Sequence, residues 1–268
     1  MVAAILIDDP ADPRIAAYCD IRERDLVGRQ GQFIAEGEVV LAMLVRSTRH
    51  RAASLLIDAK RIESLAPLLE QLPPDVPVYA ATQAVISAVA GFPLHRGILA
   101  HGIAAPALEV ERLLEDAPAD AVIVALSAIA NHDNMGGIFR NAAAFGATGV
   151  VLDADCCDPL YRKAIRVSVG TSLTLPFARL ARGDDMPALL VAAGFRVLAL
   201  SPSGVTDLHE VPRGGRVALV LGAEGPGLAQ SLMERAENVR IRMAAGVDSL
   251  NVATTSGIVL HHLTAGRG

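Results

Sequence analysis

The stretch that decides the fold is a glycine loop that directly follows the apolar run 217–221, and it reads Leu221-Gly222-Ala223-Glu224-Gly225-Pro226-Gly227-Leu228. A short apolar run closed by a turn is typical of a buried strand. The glycines let the backbone come close to a ligand, but their spacing fits neither the dinucleotide fingerprint nor a P-loop. Because Glu224 would repel a phosphate, the loop favours a ligand without one. Taken alone, the stretch is equally compatible with a plain turn.

Around this loop the second half of the chain alternates between short apolar runs and helical patterns. Further apolar runs occupy residues 121–126, 149–152, 196–200 and 239–243. This rhythm predicts an α/β fold with a mainly parallel sheet and helices on both faces. Ligands bind at the carboxyl ends of the strands in such sheets, so the loops after Leu126, Leu200, Leu221 and Met243 are the candidate sites.

The loop after Leu126 leads into a helix whose start carries Asn134 and Gly136-Gly137, and Arg140 follows within residues 131–146. Free backbone N–H groups at a helix start favour anions, and the glycines allow close approach there. Asn134 and Arg140 are six residues apart, near but not on one helical face. The alternative is an asparagine cap and an ordinary surface arginine.

The loop after Met243 is followed by a last helix that runs to His262. Asp248 or Ser249 can cap this helix. Asn251 is a poor helix former placed in the first turn, which suggests that its amide serves the site. The alternative is that these polar residues do no more than cap the helix.

Composition and length indicate a folded protein with two parts. The chain has 268 residues, of which 52% are hydrophobic and 20% charged, as in globular proteins with a large core. We predict a small mixed α/β domain at residues 1–105, a linker at 106–120 and the parallel-sheet domain at 121–268. No apolar stretch reaches the ~18 residues of a membrane-spanning helix. The three cysteines match neither a disulfide framework nor a zinc site, so a cytoplasmic protein without a metal is expected.

The net charge of −5 argues mildly against nucleic acid, but a local basic face can coexist with an acidic remainder. The densest basic cluster of the first half is Arg46, Arg49 and Arg51, which we predict to contact the phosphates of a nucleic acid. The alternative is a solvated helix end whose cations complement the helix dipole.

Taken in order, the three polar segments resemble the signature motifs of the SpoU/TrmH branch of the SPOUT methyltransferases. The first is similar to Asn-x-Gly-x-x-x-Arg ending in Phe-Gly, the second to Leu-Gly-x-Glu-Gly-x-Gly-Leu, and the third to Ile-Pro-Met followed by Ser-Leu-Asn-Val. The resemblance covers residues 121–263, and a weaker one extends to the small substrate-binding domain through Phe33-Ile34-Ala35-Glu36-Gly37.

The resemblance implies a trefoil-knotted parallel sheet, a homodimer formed through the catalytic domain, and methyl transfer from S-adenosylmethionine to a ribose 2′-hydroxyl of rRNA or tRNA. The positions that match the family's cofactor site are Leu200, Ser201, Gly222, Ile241 and Leu250. The positions that match its catalytic site are Arg140, Asn134, Glu224, Ser249 and Asn251. Because a guanidinium group is hardly deprotonated at neutral pH, Arg140 is expected to act electrostatically and to position a phosphate.

One departure from the family pattern is Arg242, which stands where the family usually has proline. Two rival functions stay open at this point. One is an RNA-binding homologue that has lost methyl transfer, and the other is a small-molecule α/β enzyme that holds a nucleotide in the glycine loop.

Overall fold

The structure is a computed structural model that describes residues 4–19, 31–91, 94, 96–225 and 227–266. The chain divides into two compact units, and the first combines Met1–Pro106 with Asp158–Thr174. The second combines Ala107–Cys157 with Leu175–Gly268. The sequence pattern placed residues 158–174 in the second domain, whereas these residues cluster with the first unit. One of their contacts is a hydrogen bond from Ser47 Oγ to the carbonyl of Leu173 (2.8 Å).

The regular elements of the described residues are numbered here in chain order. The strands are β1 Ile5–Ile7, β2 Gln32–Glu36, β3 Arg51–Asp58, β4 Val78–Ala81, β5 Ile98–Ile103, β6 Val122–Leu126, β7 Gly149–Leu152, β8 Phe177–Arg179, β9 Arg196–Leu200, β10 Thr206–Asp207, β11 Val217–Leu221 and β12 Glu237–Arg240. The α-helices are α1 Glu38–Arg46, α2 Ile62–Leu69, α3 Gln83–Ala90, α4 Val110–Glu115, α5 His132–Ala144, α6 Arg162–Val167, α7 Met186–Ala192, α8 Gln230–Met233 and α9 Val252–Thr264. Among these helices none is both long and apolar enough to cross a bilayer.

The first unit is built on a mixed sheet with the order β1-β4-β3-β5-β2 in its described part. β4 runs parallel to β1 and β3, whereas β5 runs antiparallel to β2 and β3. Helix α3 is defined by its two caps, since Thr82 Oγ1 accepts the Val85 N–H (3.3 Å) and Gly91 ends the helix with a φ of 76°. Local capping chemistry therefore defines α3 from the sequence alone.

His50 makes the stability of the first unit depend on pH. Its ring is buried, meets Phe33 edge-on and accepts a hydrogen bond at Nδ1 from the Ala105 N–H (3.1 Å). Burial, and secondarily the charge of Arg49, lowers the pKa of His50 from 6.5 to about 4. The folded state therefore keeps a neutral imidazole at pH values where the unfolded chain already binds a proton.

We predict that the free energy of unfolding is highest above about pH 6.5 and falls by on the order of 2 kcal/mol as the pH drops toward about 4. Below about pH 4 His50 is protonated in both the folded and the unfolded state, so it lowers the free energy of unfolding no further. Urea unfolding across the interval measures the effect. A His50→Gln variant, which keeps a neutral acceptor, should show a shallower dependence. An equally steep dependence in that variant would rule out His50 as the source.

The second unit is built on a sheet with the order β10-β12-β9-β11-β6-β7-β8, and all of its pairings are parallel. The predicted parallel α/β fold is therefore confirmed. The run 217–221 forms β11 between β6 and β9, and all five of its residues are buried. This central position explains why the run is continuously apolar, since side chains on both faces of the sheet are covered.

The helices α5 and α9 pack closely in the second unit. A Cβ at Gly137 would lie 2.8 Å from the Ala253 Cβ, so a larger residue there would push the helices apart. Asn141 Nδ2 donates to the Ala253 carbonyl (2.6 Å) and to Ser256 Oγ (3.0 Å). Together these contacts set the middle and the C-terminal half of α5 against the N-terminal half of α9.

Candidate functional site

A cavity of about 510 Å³ lies at the carboxyl ends of β9, β11 and β12. This volume lies within the range of small-molecule sites. Its walls come from the loops that follow the three strands and from the start of α9. It is lined by Leu200, Ser201, Pro202, Leu221, Gly222, Ala223, Glu224, Gly225, Gly227, Ile241, Met243, Ser249, Leu250, Asn251, Val252 and Thr255. Parallel strand direction alone brings these loops to one edge of the sheet.

The predicted cofactor positions all line this cavity, namely Leu200, Ser201, Gly222, Ile241 and Leu250. Three of the predicted catalytic positions, Glu224, Ser249 and Asn251, line it as well. The structure thus brings together residues that lie up to fifty positions apart in the sequence. Which ligand they contact remains a prediction.

The glycine loop folds back on itself after β11. The Gly227 N–H donates to the Ala223 carbonyl (3.1 Å), and the two residues form a bridge. A Cβ at Gly222 would lie 2.6–2.8 Å from backbone atoms of Gly227 and Leu228. The sequence suggested that the backbone at Gly222 comes close to a ligand, but in the structure it is the backbone of Gly227 and Leu228 that lies against it. Gly222 is required for the loop to close, whatever the cavity binds.

Asn251 joins three parts of the site through one side chain. Its Oδ1 accepts the N–H groups of Ala253 (2.9 Å) and Thr254 (3.3 Å), so Asn251 is the N-cap of α9. Its Nδ2 donates to Asn134 Oδ1 (2.9 Å) and to Glu224 Oε1 (2.9 Å). The side chain therefore holds α5 and the glycine loop against the start of α9.

This arrangement corrects the sequence interpretation of the last helix. Asp248 and Ser249 do not cap it, and Asn251 is not inside its first turn, because the helix begins one residue later at Val252. The amide is nevertheless used at the site, since both of its N–H bonds point to predicted catalytic residues.

Two predicted catalytic residues lie outside the lining. Asn134 is buried and is connected to the cavity through Asn251. Arg140 is exposed on α5, six residues further along the helix.

In the first unit, Arg46 and Arg51 are exposed and Arg49 is partly buried. Burial lowers the pKa of the Arg49 guanidinium.

The charge of the cavity lining constrains its ligand. Among the described residues that line it, none is Lys, Arg or His, and Glu224 supplies a carboxylate. Apolar side chains such as Leu200, Leu221 and Ile241 form much of the remaining wall. A phosphate would find no cationic side chain here, whereas an uncharged or cationic ligand with an apolar part would fit.

The sequence did not single out Asn141, Thr255 or Asp207. Asn141 follows Asn134 by seven residues, two helical turns, and this spacing of two polar residues on one face could have revealed its contact with α9. Thr255 lies in the first turn of α9 and only the loop geometry brings it to the cavity. Asp207 and Glu210 have the spacing of a capping box, but nothing local reveals the hydrogen bonds of Asp207 with Arg240 and Arg242, because these depend on the pairing of β10 with β12.

Comparisons with known proteins agree with this architecture. The sequence profile of the SpoU rRNA Methylase family matches residues 121–261. An uncharacterised tRNA/rRNA methyltransferase of Mycobacterium tuberculosis is 36% identical over 265 residues, which cover 96% of this chain and 90% of that protein. The chain belongs to the SpoU rRNA methylase family. This membership confirms the predicted family and the predicted enzyme class, an RNA methyltransferase.

More distant SpoU relatives extend the comparison over both units. The 23S rRNA (guanosine-2′-O-)-methyltransferase RlmB of Vibrio vulnificus is 26% identical over 234 residues, covering 85% of this chain and 94% of that protein. The AdoMet-bound rRNA methyltransferase of Sinorhizobium meliloti has a similar fold, with a TM-score of 0.79, 24% identity and 97% coverage of both chains. The fold of that rRNA methyltransferase is therefore shared over nearly the whole chain.

Proposed function

We propose that this SpoU-family protein transfers the methyl group of S-adenosylmethionine to a ribose 2′-hydroxyl of ribosomal or transfer RNA. One observation carries the proposal. The Asn251 amide donates hydrogen bonds to both Asn134 and Glu224, beside a cavity whose described lining has no cationic side chain. A polar cluster held in this way next to a small-molecule cavity is the arrangement that a group-transfer enzyme needs.

The cavity fits S-adenosylmethionine by the chemistry of its lining. When bound, this cofactor supplies an electrophilic methyl group on a positively charged sulfur. Leu200, Ile241 and Leu250 would hold its apolar parts, and Ser201 and the loop at Gly222 would offer polar contacts. The Glu224 carboxylate favours a cation in the cavity, and no phosphate needs to be accommodated.

The protein must orient a weak nucleophile, because a ribose hydroxyl reacts poorly unless it is aligned with the methyl group. The guanidinium group of Arg140 is a cation with several donors, so it can hold an adjacent RNA phosphate and stabilise charge that develops on the hydroxyl oxygen. Asn134, Glu224, Ser249 and Asn251 would orient the ribose and the cofactor. The hydrogen bonds from Asn251 to Asn134 and Glu224 restrict these three side chains to one arrangement.

Three finer properties are part of the same proposal, namely a trefoil knot in the second unit, a homodimer formed through this unit and a cytoplasmic location. Family resemblance supports the first two, and a substrate of ribosomal or transfer RNA supports the third. Light scattering of the purified protein tests the dimer, and a monomer at micromolar concentration would overturn it.

Two measurements test the proposed function. Calorimetry should detect binding of S-adenosylmethionine and no comparable binding of NAD. Mapping ribose methylation in total RNA, with and without the gene, should show one or a few sites that disappear. Binding of NAD alone would favour the small-molecule enzyme, and RNA binding with no lost methylation would favour an inactive homologue.

Asn251→Asp separates the capping role of this residue from its role as a donor. Aspartate keeps an acceptor for the start of α9, so the stability of the helix should change by less than about 1 kcal/mol. It cannot donate to Asn134 or Glu224, and it places a second carboxylate beside Glu224. We therefore predict that the Kd for S-adenosylmethionine rises about 10- to 100-fold. Calorimetry on the folded variant measures this, and an unchanged Kd would contradict it.

The basic cluster of the first unit gives a prediction about RNA capture. Replacing Arg46 and Arg51, which are exposed, with Gln should weaken RNA binding and reduce its salt slope by about two phosphate contacts. Adding Arg49→Gln should change little more, because this side chain is partly buried. Binding titrations over a range of salt concentrations measure the slope. Unchanged RNA affinity would show that the cluster is only a solvated helix end.

A further inference from the structure

The segment from Ile241 to Leu250 connects β12 to the cap of α9 and is called here loop 241–250. It contributes Ile241, Met243, Ser249 and Leu250 to the cavity lining. Most of its residues are exposed, and a turn from Ala244 to Val247 is closed by an N–H···O bond of 3.2 Å. Because a loop with so little internal bonding does not fix its own position, the contacts at its two ends decide where its cavity residues lie.

The far end of loop 241–250 is held by Asn251, as described above. The near end is held by Asp207 on the neighbouring strand β10. Asp207 Oδ1 accepts from Arg240 Nε (2.7 Å), and Oδ2 accepts from Arg242 Nε (2.6 Å) and forms an ion pair with Arg242 Nη2. One carboxylate therefore binds the residues on both sides of Ile241.

The geometry of the backbone explains how these two ion pairs of Asp207 position Ile241. In extended backbone, residues two apart lie on the same side, so Arg240 and Arg242 can reach one carboxylate together. Ile241 stands between them and lines the cavity. If both ion pairs are lost, the strand exit is free to rotate and the Ile241 side chain is no longer fixed in the wall.

Asp207 is itself firmly positioned. It lies opposite Arg240 in the parallel pairing of β10 with β12. Its N–H donates to Glu210 Oε2 (3.1 Å), and the two residues form a reciprocal capping box. The Asp207 side chain is only 3% exposed, whereas those of Arg240 and Arg242 are 40% and 73% exposed. The Asp207 carboxylate is therefore held in place by its surroundings, and the more exposed side chains of Arg240 and Arg242 bind to it.

We propose that Asp207 is a positioning residue for the cofactor cavity, because it fixes Ile241 and the start of loop 241–250 through Arg240 and Arg242. The inference rests on the proposed function in one respect, that the cavity binds S-adenosylmethionine. Without Asp207, two guanidinium groups would face each other with no anion between them, and both could turn toward water.

The Asp207 carboxylate keeps its negative charge throughout the pH range in which the protein can be assayed. Hydrogen bonds from Arg242 and then from Arg240 lower the pKa of Asp207 to about 2. Substitution is therefore a sharper test than a change of pH. The variant to make is Asp207→Asn, which has nearly the same shape but no charge.

The chain offers a matched control in Asp185. It also pairs with an arginine, Arg235 (2.6 Å), and also accepts a backbone N–H at a helix start, that of Ala188 (3.0 Å). It does not line the cofactor cavity. Asp185→Asn therefore removes a carboxylate–arginine ion pair from the same unit at another place, although the Asp185 side chain is more exposed (48%) than that of Asp207 (3%).

We expect Asp207→Asn to raise both Kd and KM for S-adenosylmethionine about tenfold, while kcat at saturating cofactor stays within about twofold. Arg242→Gln should give a smaller increase, about threefold, because Arg240 still holds the carboxylate. Asp185→Asn should leave Kd and KM unchanged. Hydrogen exchange of the amides in loop 241–250 should be faster in Asp207→Asn than in the wild type or in Asp185→Asn.

The outcomes separate this inference from the proposed function. If the wild type binds no S-adenosylmethionine, the proposed function fails. Hydrogen exchange would then still decide whether Asp207 holds the loop. Unchanged exchange in Asp207→Asn would overturn the inference. An equal loss of cofactor affinity in Asp185→Asn would overturn it as well, because the effect would then come from general stability.

Discussion

Arg140→Ala is expected to lower the rate of methyl transfer by about a thousandfold while the Kd for S-adenosylmethionine stays within about tenfold. Arg140 lies on α5, exposed and outside the lining of the cavity, so its removal leaves the cofactor walls intact. What it would remove is a permanent positive charge beside the RNA substrate. Single-turnover methylation of RNA at saturating cofactor measures the chemical step directly.

Two further variants define what Arg140 does. Arg140→Lys keeps the charge but not the planar, two-pronged donor, and it should recover only part of the rate. Arg112→Ala removes another exposed arginine of the second unit, which lies on α4 and pairs with Asp116 at the end of that helix, and should leave the rate unchanged. Near-normal turnover in Arg140→Ala would remove Arg140 from the proposed mechanism.

Gly222→Val should be nearly as damaging but for another reason. A Cβ at this position meets the backbone of Gly227 and Leu228 at 2.6–2.8 Å, and backbone cannot move aside as a flexible side chain can. The hairpin between Ala223 and Gly227 would have to open. We expect a loss of roughly 2–4 kcal/mol in the free energy of unfolding and a rise of more than about 100-fold in the Kd for S-adenosylmethionine.

Gly227→Ala is the matched control in the same loop. Gly227 has a φ of +70°, but a Cβ there meets no atom within 4 Å. Alanine should therefore cost only about 1–2 kcal/mol of backbone strain, with a smaller effect on cofactor affinity. Urea unfolding and calorimetry on both variants make the comparison. If Gly222→Val folds and binds as well as Gly227→Ala, the loop does not depend on the close contact at Gly222.

The sequence predicted the parallel sheet and the cavity positions well because both depend on local patterns. The run 217–221 is apolar at every position because β11 is covered on both faces, and the glycines that follow mark the turn. Ser201 and Gly222 directly follow apolar runs and Ile241 lies within the run 239–243, and the shared strand direction brings all three to one edge of the sheet.

The sequence predicted the polar contacts less well, because these depend on distant pairings. Nothing near Asn251 shows that its amide reaches Asn134, 117 residues earlier. The cap was misplaced at Asp248 or Ser249, since either residue suits a cap by local chemistry. Asp207 was missed because only the register of β10 against β12 places it beside Arg240 and Arg242.

The return of residues 158–174 to the first unit has a consequence for synthesis on the ribosome. α6 contacts β2, whose Phe33 is fully buried, so the first unit is incomplete when residue 106 has emerged. Its sheet must wait for about seventy more residues, which include the first strands of the second unit, before its last helix is available. At about 5–20 residues per second this is a delay of several seconds. During that time the part of β2 that α6 contacts is uncovered on the nascent chain and open to chaperones, and a fragment that ends near residue 106 would leave it uncovered permanently.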